Sequence, residues 1–143
     1  MPLTRKRIIY DRSNEKPYMI RHHLIFREKS EHLEKNVKVP FNAYFHKILL
    51  SDEPILHDHP WNWGTFIISG GYWEHTSEGP FWRGPGSWRT RKSTDLHWLE
   101  LNENKPCFTL FWHGARSRIW GFQTDDGWTD YRTFLQNRLE SRT

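Results

Sequence analysis

Nine of the 143 residues are histidine, a side chain that binds metal ions and transfers protons near neutral pH. His57 and His59 are one residue apart. Residues i and i+2 of a β-strand point to the same face, so both imidazoles would enter one side of a sheet. Two ligands of one metal ion need that geometry. A chain this rich in histidine also produces a His-x-His pair by chance, so the pair alone does not establish a metal site.

The secondary structure that could position these histidines is predicted from short runs of β-branched and aromatic residues, which are separated by Gly and Pro. Strands are predicted at 41–50, 65–69, 72–75, 87–91, 97–101, 108–113 and 118–122. Short strands with turn residues about every 8–12 positions are typical of an all-β sandwich or barrel. We therefore expect a β-barrel with a helix packed outside it at the C-terminal end.

Helix is predicted in two places. Apolar residues spaced three to four apart predict a helix over 131–139, with Thr129 or Asp130 available as its N-cap. The polar segment 27–38 is predicted to be a loop or a short exposed helix, with 30–36 as its helical part.

Further residues lie at fixed distances from the pair, namely Gly71, Pro85, Gly86 and His97. His57, His59 and Gly71 resemble the first motif of the cupin superfamily, and Pro85, Gly86 and His97 resemble its second motif. Cupins are small jelly-roll β-barrels (double-stranded β-helices) that hold a metal inside. The resemblance implies one cupin domain over 1–143 with a barrel core at about 41–122. It also implies that His57, His59 and His97 bind a divalent metal ion.

Two positions depart from the cupin pattern. Gly64 stands where the motif has a Glu ligand, and Leu101 stands where an Asn often follows the third histidine. A three-histidine site without the carboxylate resembles the thiol dioxygenases, a cupin branch that carries His-Asp-His and replaces Glu with Cys or Gly. The Ser-His-Tyr relay of that branch has no counterpart here, because no Tyr lies between Tyr72 and Tyr131. Segments 57–61, 70–72 and 120–122 are similar to small cupin-like proteins of phages and bacteria.

The implied metal site predicts an enzyme. Three neutral imidazoles leave coordination positions open, as in catalytic metal sites. Fe(II) is the expected ion, and Mn(II), Ni(II) and Zn(II) are alternatives that accept the same ligands. We expect a metal-dependent cupin enzyme acting on a small polar, anionic molecule, most specifically an Fe(II) dioxygenase. The alternatives are a redox-neutral isomerase or lyase, and a non-catalytic module that binds a small ligand or a nucleic acid.

Other side chains are candidates for catalysis and substrate binding. In the redox-neutral alternative, His75, Glu74 or His113 would act as acid or base. His75 and His113 also end predicted strands, where a histidine in contact with water is the ordinary interpretation. Planar guanidinium groups and a large ring would suit an anionic or flat substrate, and these candidates are Arg89, Arg91, Arg118 and Trp63. The alternative for the arginines is the solvent face of the barrel.

The composition of the chain bears on its partners, its location and its oligomeric state. The 21 Lys and Arg exceed the 17 Asp and Glu by four and are scattered, and no nucleic-acid motif is recognisable, so a nucleic acid is not the expected main partner. No apolar run approaches the roughly 18–20 residues of a membrane span, and no signal peptide is recognisable. The single Cys107 cannot form an internal disulfide, which favours a reducing, cytoplasmic location. The high Trp content predicts a homodimer through an outer sheet face or the strand around 8–10.

Overall fold

The structure, a computed structural model, describes residues 6–24 and 41–141. These residues form eleven strands and one α-helix. The strands are β1 (Lys6–Tyr10), β2 (Pro17–His23), β3 (Phe41–Ile48), β4 (Trp63–Ser69), β5 (Tyr72–Thr76), β6 (Gly79–Arg83), β7 (Trp88–Arg91), β8 (His97–Leu101), β9 (Cys107–Gly114), β10 (Gly121–Thr124) and β11 (Gly127–Asp130). The helix is α1 (Tyr131–Ser141). The predicted all-β class with a C-terminal helix is confirmed.

The strands form two layers that face each other. The larger sheet has the order β1-β2-β3-β9-β4-β7, and the opposite layer contains the sheets β6-β5-β8 and β10-β11. Every pairing is antiparallel. Isolated bridges from His57 to His97 and from His57 to Phe122 join the two small sheets. The loop that carries the His-x-His pair therefore completes one wall of the barrel.

The predicted elements differ from the structure at two places, and a third prediction is not tested by it. Residues 118–120 belong to the loop before β10, so the strand predicted at 118–122 begins later. Strand β6 is not among the predicted strands; it begins at Gly79, whose φ of 118° closes the turn from β5. The helix predicted at 30–36 lies outside the described residues.

The inner face of the larger sheet is apolar at one end of its strands and polar toward the other end. At one end, side chains from both layers form the apolar core, which consists of Ile48, Ile67, Tyr72, Leu101 and Cys107. Along β3, the alternate buried positions that follow this face away from the core are His46, Tyr44 and Asn42. On β9, Thr109 and His113 are likewise buried. Burial of polar side chains is unfavourable unless they are hydrogen-bonded, so this half of the barrel interior is where a site is expected.

Helix α1 packs against the wall that holds His57. Asp130 caps the helix, since its Oδ1 accepts hydrogen bonds from the backbone N–H groups of Arg132 and Thr133 at 3.1 and 3.0 Å. This confirms one of the two predicted caps. Phe134 stacks on Phe122 with ring centroids 4.1 Å apart. No helix among the described residues is both long enough and apolar enough to span a membrane.

Gly64 permits a close approach between two strands. It pairs with Trp112 across β4 and β9, and a Cβ atom at position 64 would lie 2.4 Å from the Trp112 ring. Neighbouring Phe111 and His113 line the barrel interior, so Trp112 lies on the outer face. Gly64 therefore does not stand where a fourth ligand would enter, and that expectation was wrong.

We predict that Gly64→Ala lowers the free energy of unfolding by about 1–3 kcal/mol, because the indole must move to admit a methyl group. Urea denaturation measures the change. Gly114→Ala is the matched control, because its added Cβ would have its nearest neighbour at 3.9 Å. Equal stability of the two variants would contradict the packing role of Gly64, and Trp112→Leu should restore stability to Gly64→Ala.

Candidate metal centre

Backbone hydrogen bonds hold the histidine loop in place although no regular strand forms there. His57 and His97 exchange two bonds, each N–H donating to the other's carbonyl at 3.0 Å, and His59 N–H donates to the carbonyl of Ser93 at 3.1 Å. The expectation that His57 and His59 lie on one strand is wrong, because Pro54 and Pro60 flank the segment and lack the N–H that a strand ladder requires. The alternation of an extended chain is nevertheless retained.

Asp58 shows that alternation. Its carboxylate turns away from the histidines and is buried, accepting hydrogen bonds from Gly121 N–H at 2.7 Å and Trp128 Nε1 at 2.9 Å. Arg118 pairs with the same carboxylate at 2.9 Å. These contacts anchor the loop between the two imidazoles that point inward.

The structure brings together the three predicted metal ligands. Nitrogen atoms of His57, His59 and His97 lie within 4.8 Å of one another. The ring centroids are 5.0–5.4 Å apart. Two nitrogens bound to one ion at about 2.0–2.1 Å lie at most about 4.2 Å apart, so the cluster is close to the spacing that a shared ion requires.

The protonation of these residues fits a metal ion. Burial lowers the pKa of His57 to about 4 and holds the pKa of His59 well below its ordinary value, so both rings are neutral ligands at neutral pH. His59 Nδ1 is buried and has no hydrogen-bonding partner within the described ranges. A cation would satisfy this nitrogen, so the residues present fit a divalent metal ion.

Glu74 orients one of the ligands. Its Oε2 accepts a hydrogen bond from Nδ1 of His97 at 2.8 Å, which leaves Nε2 of His97 as the nitrogen for a metal. Its Oε1 contacts Arg91 at 2.6 Å and Arg83 at 3.1 Å. Burial by itself would raise the pKa of Glu74, but the hydrogen bonds from His97 and Arg91 outweigh burial and lower it to about 2. Glu74 is therefore a carboxylate that fixes His97.

Trp63, which precedes Gly64 in β4, packs against the histidine cluster. Trp63, Thr65 and Ile67 are buried on the inward face of β4. The Trp63 ring lies 5.0 Å from that of His97 and 5.1 Å from that of His59. Its Nε1 is buried without a hydrogen bond inside the described part of the chain. An indole thus packs against two of the three histidines.

His113 lies in the same cavity, but not among the three ligands. Its Nδ1 donates to the carbonyl of Gly114 at 2.8 Å, so its Nε2 accepts the hydroxyl proton of Tyr44, also at 2.8 Å. Trp61 stacks between His59 and His113, with ring centroids 5.4 and 4.3 Å away. One indole ring therefore separates the Tyr44–His113 pair from the three histidines.

The structure does not bring the remaining candidates into the cavity. His75 stacks on Trp98 with centroids 3.8 Å apart and contacts Glu100 at 2.9 Å, on the outer side of β5. Arg89 is exposed on β7. Arg91 holds Glu74, and Arg118 donates to the carbonyls of His59 and Ser93, both at 3.1 Å. These two guanidinium groups are occupied by contacts that hold the centre in place.

The cavity has a volume of about 830 Å³, which suits a small molecule. Sequence reasoning missed several polar residues that line it: Arg12, Tyr18, Arg21, Asn42, Tyr44, His46 and Asp52. Alternate polar positions in the predicted strand 41–50 were a signal for three of them. Asp52 accepts from the Tyr18 hydroxyl and from Leu99 N–H, and it lies 4.0 Å from His57 Nε2.

Comparison with known proteins identifies the fold. No family model and no curated protein matches the sequence. An RmlC-like cupin protein from Ralstonia eutropha has 10% identity and a TM-score of 0.55 over 95% of this chain and 81% of its own. The polyketide cyclase RemF from Streptomyces resistomycificus has 12% identity and a TM-score of 0.57 over 80% and 79%. A cupin-superfamily sugar phosphate isomerase from Silicibacter pomeroyi has 12% identity and a TM-score of 0.52 over 89% and 86%.

The chain therefore has the cupin fold. The predicted jelly-roll architecture and the cupin resemblance are confirmed at the level of the fold, and the three-histidine cluster lies inside the barrel. At these identities the likeness carries no information on the reaction.

We predict that His46→Gln changes how stability depends on pH. His46 Nε2 accepts a hydrogen bond from Arg21 Nε at 3.0 Å, and burial followed by the Arg21 charge holds its pKa well below the ordinary value. Below about pH 6.5 the unfolded chain binds a proton at His46 that the folded chain does not, so the wild type loses stability as pH falls.

Glutamine can accept the same hydrogen bond but cannot titrate. The variant should therefore gain about 1–2 kcal/mol relative to wild type between pH 7 and pH 5. Urea unfolding of both proteins in the presence of a chelator measures this difference. A difference that stays constant over the pH range would contradict the assignment.

Proposed function

We propose that this chain is a divalent-metal-dependent cupin enzyme that acts on a small polar, anionic molecule. The observation that carries the proposal is the cluster of three inward-facing histidines in a cavity of 830 Å³. The isomerase and the cyclase among the similar structures agree with an enzyme. Fe(II) is the favoured ion, with Mn(II), Ni(II) and Zn(II) as alternatives.

His57, His59 and His97 would hold the ion. A divalent ion bound by three neutral imidazoles supplies a Lewis acid with open coordination positions for substrate. Glu74 keeps His97 in the tautomer that binds metal, and the Arg83 and Arg91 contacts keep Glu74 ionised. Trp63 and Trp61 cover two sides of the centre and exclude water from them, which strengthens electrostatic interactions there.

Two reactions are candidates at this centre. The first is Fe(II)-dependent dioxygenation, proposed because three neutral ligands leave room for both dioxygen and substrate. The second is a redox-neutral isomerase or lyase reaction, which the Tyr44–His113 hydrogen bond favours. In that reaction the Tyr44 oxygen would take a substrate proton while His113 Nε2 takes the hydroxyl proton.

The metal assignment is tested by His97→Ala. Loss of a ligand should remove most of the metal from protein purified without chelator, measured by elemental analysis. His75→Ala is the matched control, because it removes a histidine from the neighbouring strand outside the cavity and should leave metal content unchanged. Equal metal content in the two variants, or no metal in the wild type, would contradict the proposal.

The two reactions are separated by screening small carboxylic acids and sugar phosphates for oxygen consumption and for anaerobic conversion. Dioxygenation consumes oxygen and stops without it. For the redox-neutral reaction, Tyr44→Phe should lower the anaerobic rate about 100-fold or more with metal content unchanged. A Tyr44→Phe variant at full anaerobic rate would exclude the Tyr44–His113 pair from proton transfer.

The homodimer and the cytoplasmic location stay predictions. Exposed apolar side chains on β1 include Ile8 and Tyr10, at the edge of the larger sheet. Light scattering should give twice the chain mass of 17.4 kDa if the dimer forms, and the mass of one chain if it does not.

A further inference from the structure

Arg12 holds its guanidinium at a defined place beside the metal centre. The guanidinium carbon lies 4.4 Å from the centroid of the Phe122 ring. Phe122 is fully buried and packs between Phe134 on one side and His57 on another, with centroids 4.1 and 6.0 Å away. A positive charge is thus held over a rigid ring that itself contacts a predicted metal ligand.

The hydrogen-bonding capacity of Arg12 is not used up by the protein. Its Nη1 is buried and makes no hydrogen bond within residues 6–24 and 41–141. Glu53 Oε1 lies 3.8 Å away, which is an ion-pair distance but too long for a hydrogen bond. Both oxygens of Glu53 already accept hydrogen bonds from Arg138, at 2.7 and 2.5 Å. Glu53 is therefore hydrogen-bonded to Arg138 and not to Arg12, and Arg12 keeps its Nη1 hydrogens available for another acceptor.

Other cavity carboxylates do not take these donors. Asp11 accepts from Glu15 N–H, and Asp52 accepts from the Tyr18 hydroxyl and from Leu99 N–H. Asp58, whose carboxylate points away from the histidines, is paired with Arg118. Arg12 nonetheless lines the cavity, and about a fifth of its side chain is exposed. A buried donor without a partner is unfavourable, so a ligand acceptor in the cavity would stabilise this arrangement.

We propose that Arg12 binds an anionic group of the substrate, a carboxylate or a phosphate, on the His57 side of the cavity. The fork of a guanidinium matches the oxygens of either group. The substrate would then carry two functional groups, one for the metal ion and a separate anion for Arg12. This inference rests on the proposed function, since it assumes a metal ion on the three histidines.

Calorimetric titration of the Zn(II)-loaded protein tests the inference without requiring the reaction. The probes are acetate, the dicarboxylates from oxalate to glutarate, and phosphonoacetate. Acetate can occupy only one of the two positions, whereas the others can reach both. In the wild type, at least one two-anion probe should bind about tenfold or more tightly than acetate. Preference for phosphonoacetate over the dicarboxylates would indicate a phosphate group, and the reverse a carboxylate.

Variants assign this preference to Arg12. Arg12→Gln should abolish the preference for two anions while leaving zinc content and acetate affinity unchanged. Arg12→Lys keeps the charge without the fork and should give an intermediate preference, which keeps the test decisive if Arg12→Gln does not fold. Arg89→Gln is the matched control, because Arg89 is exposed outside the cavity, and it should behave as wild type.

Two outcomes would overturn the inference, and they differ from failure of the metal centre. If wild type binds zinc but shows no preference for two anions, Arg12 has no such role. The same holds if both Arg12 variants keep the full preference. If the wild type binds no zinc, the proposed function fails and the inference fails with it.

Discussion

The reciprocal backbone hydrogen bonds between His57 and His97 are the constraint on which the centre depends. A loop without a regular strand would not hold two imidazoles within a few ångströms of a third. A hydrogen-bonded antiparallel pair, however, fixes the two Cα atoms about 5.5 Å apart, so the loop and β8 present their rings side by side. Asp58 then takes the outward position and is held by Gly121 N–H, which returns His59 to the inward side.

The ion-paired network of Glu74, Arg83 and Arg91 serves to position His97 more than to stabilise the fold. A buried carboxylate beside two arginines contributes little net free energy, because desolvation offsets much of the attraction. Replacement of a buried ion pair by apolar residues of similar volume is often neutral for stability. The charged residues do something that apolar ones cannot do, because the Glu74 carboxylate fixes both the tautomer and the orientation of His97. The apolar core lies at the other end of the barrel.

Sequence patterns were sufficient for the fold class and for the three histidines, because strand periodicity and motif spacing are local properties. They were insufficient for the arginines, because the role of a guanidinium depends on which carboxylate or carbonyl the fold brings to it. Arg91 and Arg118 were expected at substrate and instead hold Glu74 and the histidine loop. The motif alignment put Gly64 at the position of a fourth ligand, but the inward-facing residue is its neighbour Trp63. A shift of one residue along a strand moves a side chain from the inner face of the sheet to the outer face.

The carboxylates that line the cavity give it an electrostatic asymmetry. Among the described residues these are Asp11, Asp52 and Glu53, and each accepts hydrogen bonds from the protein. Their negative charge is therefore partly compensated by N–H, O–H and guanidinium donors of the protein itself. Arg12 lies at an ion-pair distance from an acid that Arg138 already satisfies. A divalent ion on the three neutral histidines would add two further positive charges to the same volume. A cavity whose carboxylates are hydrogen-bonded by the protein, and in which Arg12 Nη1 makes no hydrogen bond to the described residues, favours anions. This is the physical reason to search for its substrate among small acids.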